Sequence, residues 1–100
     1  MITISLSKNN NQVDEIIISG HSGYKEYGSD IVCSSVSSIA ITSINAILKI
    51  DEESLKYEQE DGFLKITILK HNDVIDKLLE NMLELLRDLE KQYGKYVKIK

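Results

Sequence analysis

The sequence contains no proline and no tryptophan, and it has a single cysteine, Cys33. One cysteine cannot form a disulfide within the chain, so nothing indicates an oxidising compartment and we expect a cytoplasmic protein. The longest uncharged stretch, residues 31–48, is interrupted by five serines. No apolar run therefore approaches the length that spans a bilayer, and no membrane partner is expected. The first residues alternate too regularly for a signal peptide.

Basic residues are also few. The chain has 12 lysines and arginines against 16 acidic residues, which gives a formal net charge of -4. A surface that neutralises a nucleic-acid backbone is basic, so this balance argues against direct nucleic-acid binding and favours a basic protein as partner. The two histidines and the cysteine lack metal-ligand spacing, and the glycines match neither a P-loop nor a dinucleotide fingerprint. We therefore expect neither a metal nor a cofactor.

The length and the apolar content fit one folded unit. Hydrophobic residues make up 42% of the 100 residues, which is enough for a core, and we expect a single domain over residues 1–100. The apolar patterns follow the order β-β-α-β-β-α-β. This order predicts an α+β fold, a two-layer sandwich of two helices on a mostly antiparallel sheet.

Each element has a signal of its own. The first predicted helix has no charge over residues 31–48, so we expect it to be buried nearly all round, covered by the second helix or by a twin subunit. The second helix is predicted to open at Asn72 or Asp73 and to end before Gly94. Period-two alternation and turn residues predict strands at residues 2–6, 13–19, 55–60, 64–68 and 95–100, with turns at residues 8–12 and at Asp61-Gly62.

The candidate site lies in residues 20–37, where one histidine and the cysteine flank a loop with two glycines. Ser29 or Asp30 can cap a helix, which would place Cys33 in the first turn, where free backbone N–H groups favour a thiolate. His21 follows a strand, and it can accept the thiol proton if that strand lies beside the helix. In the alternative interpretation, Cys33 is a small core residue and His21 an ordinary residue at the end of a strand.

Three further polar residues were considered. Asp30 and Ser37 each have two interpretations, and His71 has one. Asp30 is interpreted first as a residue that secures the helix start, and second as a group that orients His21. Ser37 lies four residues after Cys33 on the same helical face, where it can hydrogen-bond near the site or satisfy a backbone carbonyl. His71 is interpreted as a turn residue before the second helix.

Residues Gly20-His21-Ser22 are followed, after the loop, by Asp-Ile-Val-Cys-Ser-Ser-Val-Ser at residues 30–37. This pattern resembles the signature of the ribosomal-processing cysteine proteases, the Prp family. The order of elements, the length and the Asp-Gly hairpin also fit that family, so the resemblance covers essentially the whole chain.

The resemblance implies a homodimeric cysteine endopeptidase of α+β fold. Such an enzyme removes the N-terminal extension of large-subunit ribosomal protein L-twenty-seven, which is cut after an apolar, aromatic segment. The resemblance implies that Cys33 is the nucleophile and His21 the base, with Gly20, Asp30 and Ser37 as supporting residues. It also implies that the loop after the histidine moves to admit the substrate.

Two other functional classes remain open from the residues alone. In one, the chain is a non-catalytic ribosome-assembly or adaptor module, and the cysteine and histidine are structural. In the other, it is a different thiol enzyme, such as a hydrolase of small esters.

Overall fold

The structure, a computed structural model, describes residues 1–20 and 27–100, with the backbone alone for residues 27–30. Its order of elements is the predicted one. The elements are β1 (Ile2–Asn9), β2 (Gln12–Ser19), α1 (Tyr27–Ile50), β3 (Leu55–Glu60), β4 (Phe63–Ile68), α2 (Asp73–Gln92) and β5 (Val97–Ile99).

The five strands form one sheet in the order β3-β4-β2-β1-β5. Neighbouring strands are antiparallel except β1 and β5, which are parallel, so the sheet is mostly antiparallel and the α+β prediction is confirmed. The predicted turns are present. Asn10 and Asn11 adopt positive φ angles of 54° and 65°, and Gly62 has a φ of 72°, so each turn uses residues that tolerate left-handed backbone.

One face of the sheet carries the core. Alternate residues of the strands are buried, and both helices contribute an apolar row to the same cluster, so the helices pack on that face. From α1 this row consists of Val32, Val36, Ala40, Ile44 and Ile47, and from α2 of Ile75, Leu79, Met82, Leu83 and Leu86.

The opposite side of α1 differs from the expectation. Ser34, Ser38, Thr42 and Asn45 are exposed, so the prediction that α1 is buried nearly all round is wrong for one chain. Their small uncharged side chains made the whole helix look internal, whereas only one row and its flanks are covered. The expectation that no apolar run approaches the length of a membrane span is wrong by length and composition alone. Within the described residues, the helical stretch Ile31–Ile50 is long and apolar enough to cross a membrane despite its five serines, although one row of its side chains is buried in the core.

The helix also begins earlier than predicted. Its first residue is Tyr27, so Ser29 and Asp30 lie inside the first turn and neither is the N-cap. At the start of α2 the prediction holds, because Asn72 caps that helix and its side-chain oxygen accepts a hydrogen bond from the Ile75 N–H at 2.9 Å.

His71 does more than occupy a turn. Its Nδ1 lies 2.6 Å from Asp76 Oδ1 on α2, and its Nε2 lies 3.0 Å from Asp14 Oδ1 on β2. Only the protonated imidazole donates from both nitrogens, so the imidazolium satisfies both carboxylates at once. The Asp76 hydrogen bond raises the pKa of His71 against the opposing effect of burial, and Asp14 raises it further. This side chain therefore links α2 to the sheet in a proton-dependent way.

We expect the free energy of unfolding to decrease as the pH rises above about 6.5, the ordinary histidine value. The pKa of His71 is higher in the folded protein, so the stabilisation is fully present below 6.5 and is lost as the pH rises through the raised value. Urea unfolding between pH 5.5 and pH 8.5 measures this dependence.

The His71→Asn variant removes the titrating group and should flatten the dependence in this interval. It should also cost about 1–2 kcal/mol at pH 6, in line with a hydrogen-bonded charged group. Asp14→Asn, which removes the charge of one of the two carboxylate partners but keeps an acceptor oxygen, should give an intermediate slope. If the free energy of unfolding depended on pH equally in wild type and in His71→Asn, the titration of His71 would not be the cause of the pH dependence.

Candidate active site

A cleft of about 520 Å³ lies between α1 and one end of the sheet, and Cys33 lines it. One wall is the flank of α1 that carries Cys33 and Ser37. The other wall comes from the ends of β1, β2 and β3 and from the start of β4. The sheet residues that line the cleft are Ile2, Ile18, Gly20, Gln59, Glu60, Asp61, Gly62, Phe63 and Leu64.

Cys33 is half-buried and unpaired, with no disulfide. It is the seventh residue of α1, so its predicted place in the first turn is wrong. The N–H groups that a helix start leaves free belong to its first four residues, here residues 27–30. Cys33 itself is therefore not one of the residues that carry these donors. Its chemical access comes instead from the cleft, into which a peptide can bring its carbonyl carbon.

Ser37 lies one helical turn after Cys33, is exposed, and lines the same cleft. The structure therefore brings these two predicted residues together. Ser43, further along α1, is a serine that bonds back to the helix, since its Oγ donates to the Ile39 carbonyl oxygen at 2.7 Å. Ser37 is exposed in the cleft, and both of its interpretations stay predictions.

Gly20 also lines the cleft, at the point where the chain leaves β2. Its φ angle is 104°, and its N–H donates to the Gly62 carbonyl oxygen at 3.0 Å. A Cβ at this position would overlap the Met1 carbonyl oxygen. Glycine is therefore required here both by the backbone angle and by the lack of space. The last described residue before His21 thus lies in the cleft that holds Cys33.

The remaining predicted features fall outside the described part of the chain. His21 lies in residues 21–26, as does the middle of the loop expected to move, which was predicted to run from Gly20 to Ser29. The end of that predicted loop, residues 27–29, belongs to α1 instead, and Asp30 is described only as a backbone position in the first turn of that helix. A distance between Cys33 and His21 is therefore not part of the described geometry. Among residues 1–20 and 31–100, no three His, Cys, Asp or Glu side chains are grouped in a way that could hold a metal ion.

The wall formed by the β3–β4 hairpin was not expected from the sequence. Glu60 and Asp61 are the charged residues among the described lining, and both are acidic and exposed. The sequence did predict the Asp61-Gly62 hairpin, and an antiparallel hairpin beside β2 places its turn at the end where β2 stops. However, the sequence did not show that β4 of this hairpin is the neighbour of β2, so the turn could not be assigned to the cleft. The cleft therefore presents a negative rim beside the thiol.

We expect Gly20→Ala to destabilise the protein by about 1–3 kcal/mol, because alanine would be strained at this φ angle and would contact the Met1 backbone. Urea unfolding measures the loss. Gly94→Ala is the matched control, because a Cβ there would meet its nearest atom, the Glu90 carbonyl oxygen, at 3.2 Å and no positive φ is involved. Similar unfolding midpoints for the two variants would contradict the close contact between the Gly20 and Met1 backbones.

Comparison with known proteins identifies the family of this chain. The sequence profile of the family described as cysteine protease Prp matches residues 1–98. The ribosomal processing cysteine protease Prp of Staphylococcus aureus is 31% identical over 103 residues, which covers 99% of this chain and 97% of the relative.

Solved structures agree as well. A crystal structure of the S. aureus protease with a substrate peptide superposes with a TM-score of 0.91 at 30% identity, covering 100% of this chain and 98% of that one. A second structure, with a covalently linked product peptide, gives a TM-score of 0.88 at 31% identity and covers 99% and 97% of the two chains. The resemblance seen in residues 20–37 is therefore confirmed, and this chain belongs to the Prp family of ribosomal-processing cysteine proteases.

Proposed function

We propose that this cysteine protease removes the N-terminal extension of large-subunit ribosomal protein L-twenty-seven. The observation that supports it most directly is the shared cleft. Cys33 is accessible there, and the residue that precedes His21 lines the same space. The solved S. aureus relative binds a substrate peptide, which fits an open groove of this size beside the thiol. The acidic rim at Glu60 and Asp61 suits a basic ribosomal protein.

The proposed mechanism uses a Cys33–His21 dyad. His21 takes the thiol proton, and the Cys33 sulfur attacks the scissile carbonyl carbon, whose double-bond electrons move to the oxygen. When the tetrahedral intermediate collapses, the C–N bond breaks and His21 donates its proton to the leaving amine. A thioester to Cys33 remains. Water, deprotonated by His21, then attacks the thioester carbon, the C–S bond breaks, and the acid product leaves.

Three residues support the dyad in this proposal. Gly20 fixes where the chain leaves β2, and so sets the position from which His21 is attached. Asp30, in the first turn of α1, either stabilises the helix start or orients His21. Ser37 is exposed one turn after Cys33 and provides a hydroxyl that can hydrogen-bond to a bound peptide.

Incubation with the leader-bearing ribosomal protein should give a shortened product, detected by mass spectrometry. Cys33→Ala should reduce the cleavage rate by a factor of about 10³ or more, since removal of a nucleophile leaves only the small catalysis that binding provides. A Cys33→Ala protein that cleaves at the wild-type rate would exclude Cys33 as the nucleophile.

The same experiment separates the alternatives. Wild-type protein that binds the ribosomal protein without cleaving it would favour the adaptor module. Hydrolysis of small thioesters and esters, without cleavage of the peptide, would favour a thiol hydrolase of another kind. A cleavage product trapped on wild-type protein but not on Cys33→Ala would support the thioester route.

We also propose that the enzyme is cytoplasmic and acts as a homodimer, with a second copy covering the exposed side of α1. That side carries small uncharged residues, with Ser34, Ser38, Thr42 and Asn45 exposed, and Ile31 on α1 is 46% exposed. Because residues 31–48 of α1 carry no charge and Lys49 follows only at the end of the helix, most of this side can meet a copy of itself without like-charge repulsion.

Sedimentation velocity should show a dimer for wild-type protein at micromolar concentration. Asn45→Lys, which places a charge on the proposed interface of both copies, should shift the protein toward monomer. Asn81→Lys is the matched control, an exposed asparagine on α2, and should leave the dimer intact. A monomeric wild type, or equal effects of the two lysines, would refute this interface.

A further inference from the structure

The two edges of the sheet differ in whether their outward-facing backbone groups are bonded. At the β5 edge, the Val97 N–H donates to the Tyr93 carbonyl oxygen at 3.2 Å. The next outward donor of β5, the Ile99 N–H, bonds to Glu90 Oε2 on α2 at 2.8 Å. At the β3 edge residues 56–60 are exposed, and no group of the described residues bonds to their outward side. Within the described part of the chain, β3 is therefore the open edge of the sheet.

The geometry of the hairpin decides which backbone groups of β3 are free. Glu60 and Phe63 flank a two-residue turn, so their backbone groups bond to each other. Bonded and non-bonded pairs alternate along an antiparallel ladder, so Glu58 also bonds to β4. The residues between them, Tyr57 and Gln59, each direct one N–H and one carbonyl oxygen away from β4. These are the groups that another extended chain could bond.

The open edge begins at the cleft. Gln59 and Glu60 line the cleft together with Cys33. Tyr57 lies two residues further from the hairpin turn, and its side chain is 43% exposed, so α1 does not cover this part of β3. A peptide that leaves the cleft past Gln59 can therefore continue beside β3 without a break.

The charge of the edge favours a basic occupant. Residues 56–61 contain one lysine and three carboxylates. Glu58, Glu60 and Asp61 form no ion pair with any described residue. A basic peptide would supply the missing cations, whereas a second copy of β3 would double the excess negative charge. The edge therefore suits a segment of a basic protein better than a copy of itself.

We propose that the substrate pairs with β3 as an additional strand of the sheet. Its N–H groups donate to the carbonyl oxygens of Tyr57 and Gln59, and its carbonyl oxygens accept from the N–H groups of these two residues. This pairing rests on the proposed function, in that the paired peptide is the one cleaved at Cys33. Tyr57 and Gln59 are then positioning residues, because their backbone holds the peptide extended while the cleft receives the scissile bond.

Binding can be measured by fluorescence anisotropy, without catalysis, in a Cys33→Ala background. The probe is a fluorescein-labelled peptide that spans the leader junction of the ribosomal protein. Each amide up to five residues from the junction is replaced in turn by an ester, which removes one N–H without adding bulk. Only every second residue of a strand bonds to a given neighbour. We therefore expect alternate esters on one side of the junction to weaken binding about three- to tenfold, and the esters between them to have little effect.

The edge itself can be blocked with proline. Gln59→Pro removes an N–H that points away from β4, so it leaves the hairpin ladder complete. Gln59→Ala is the matched reference, because both variants lose the same side chain and only proline loses the N–H. We expect the proline variant to bind the peptide about tenfold more weakly than the alanine variant. Their urea unfolding midpoints should be close, whereas Glu58→Pro, which loses an N–H bonded to β4, should unfold at lower urea.

The outcomes separate the strand pairing from the proposed function. An alternating ester series supports the pairing even if no peptide is cleaved, and it decides the matter should Gln59→Pro not fold. A series without alternation, no binding of the probe, or equal binding by two folded Gln59 variants would refute the pairing. A second copy as the occupant would also refute it, and would appear in sedimentation velocity as a dimer that Gln59→Pro dissociates. Failure of wild-type enzyme to cleave any junction peptide would count against the proposed function alone.

Discussion

Three chain segments meet at Gly20, and the geometry of the candidate site depends on their close approach. The Gly20 N–H bonds to the turn of the β3–β4 hairpin, while the Met1 carbonyl occupies the space that a side chain would need. These contacts set the end of β2, the start of β1 and one wall of the cleft relative to one another. His21, the proposed base, follows Gly20 directly in the sequence, so its point of attachment is fixed by the backbone contacts of Gly20 rather than by side-chain packing.

Local signals in the sequence were sufficient for most of the elements. The asparagine turn, the Asp61-Gly62 hairpin and the capped, one-sided α2 each depend on residues that lie next to one another. The start of α1 was misplaced because Ser29 and Asp30 are good capping residues, although the helix continues through them. Capping preference is weak beside the tertiary packing that holds a helix of serine and β-branched residues.

Features that join distant residues were not predictable in this way. The strand order places β4 beside β2 and β5 beside β1, and no local pattern specifies either pairing. The same holds for His71, whose two carboxylate partners come from β2 and α2. The family motif in residues 20–37 could be recognised from the sequence, but the wall of the cleft formed by the β3–β4 hairpin required the strand order.

The parallel pairing of β1 with β5 affects when this protein can complete its sheet. During synthesis β1 emerges early, yet its outer neighbour is encoded after all the other elements, so β1 keeps an open edge while the ribosome makes the intervening chain. Contacts between such remote segments are slow to form, because a large loop must close first. Ile2 pairs with Val97 of β5 and also lines the cleft, so this wall of the cleft is held in place only once β5 has been made and has paired with β1.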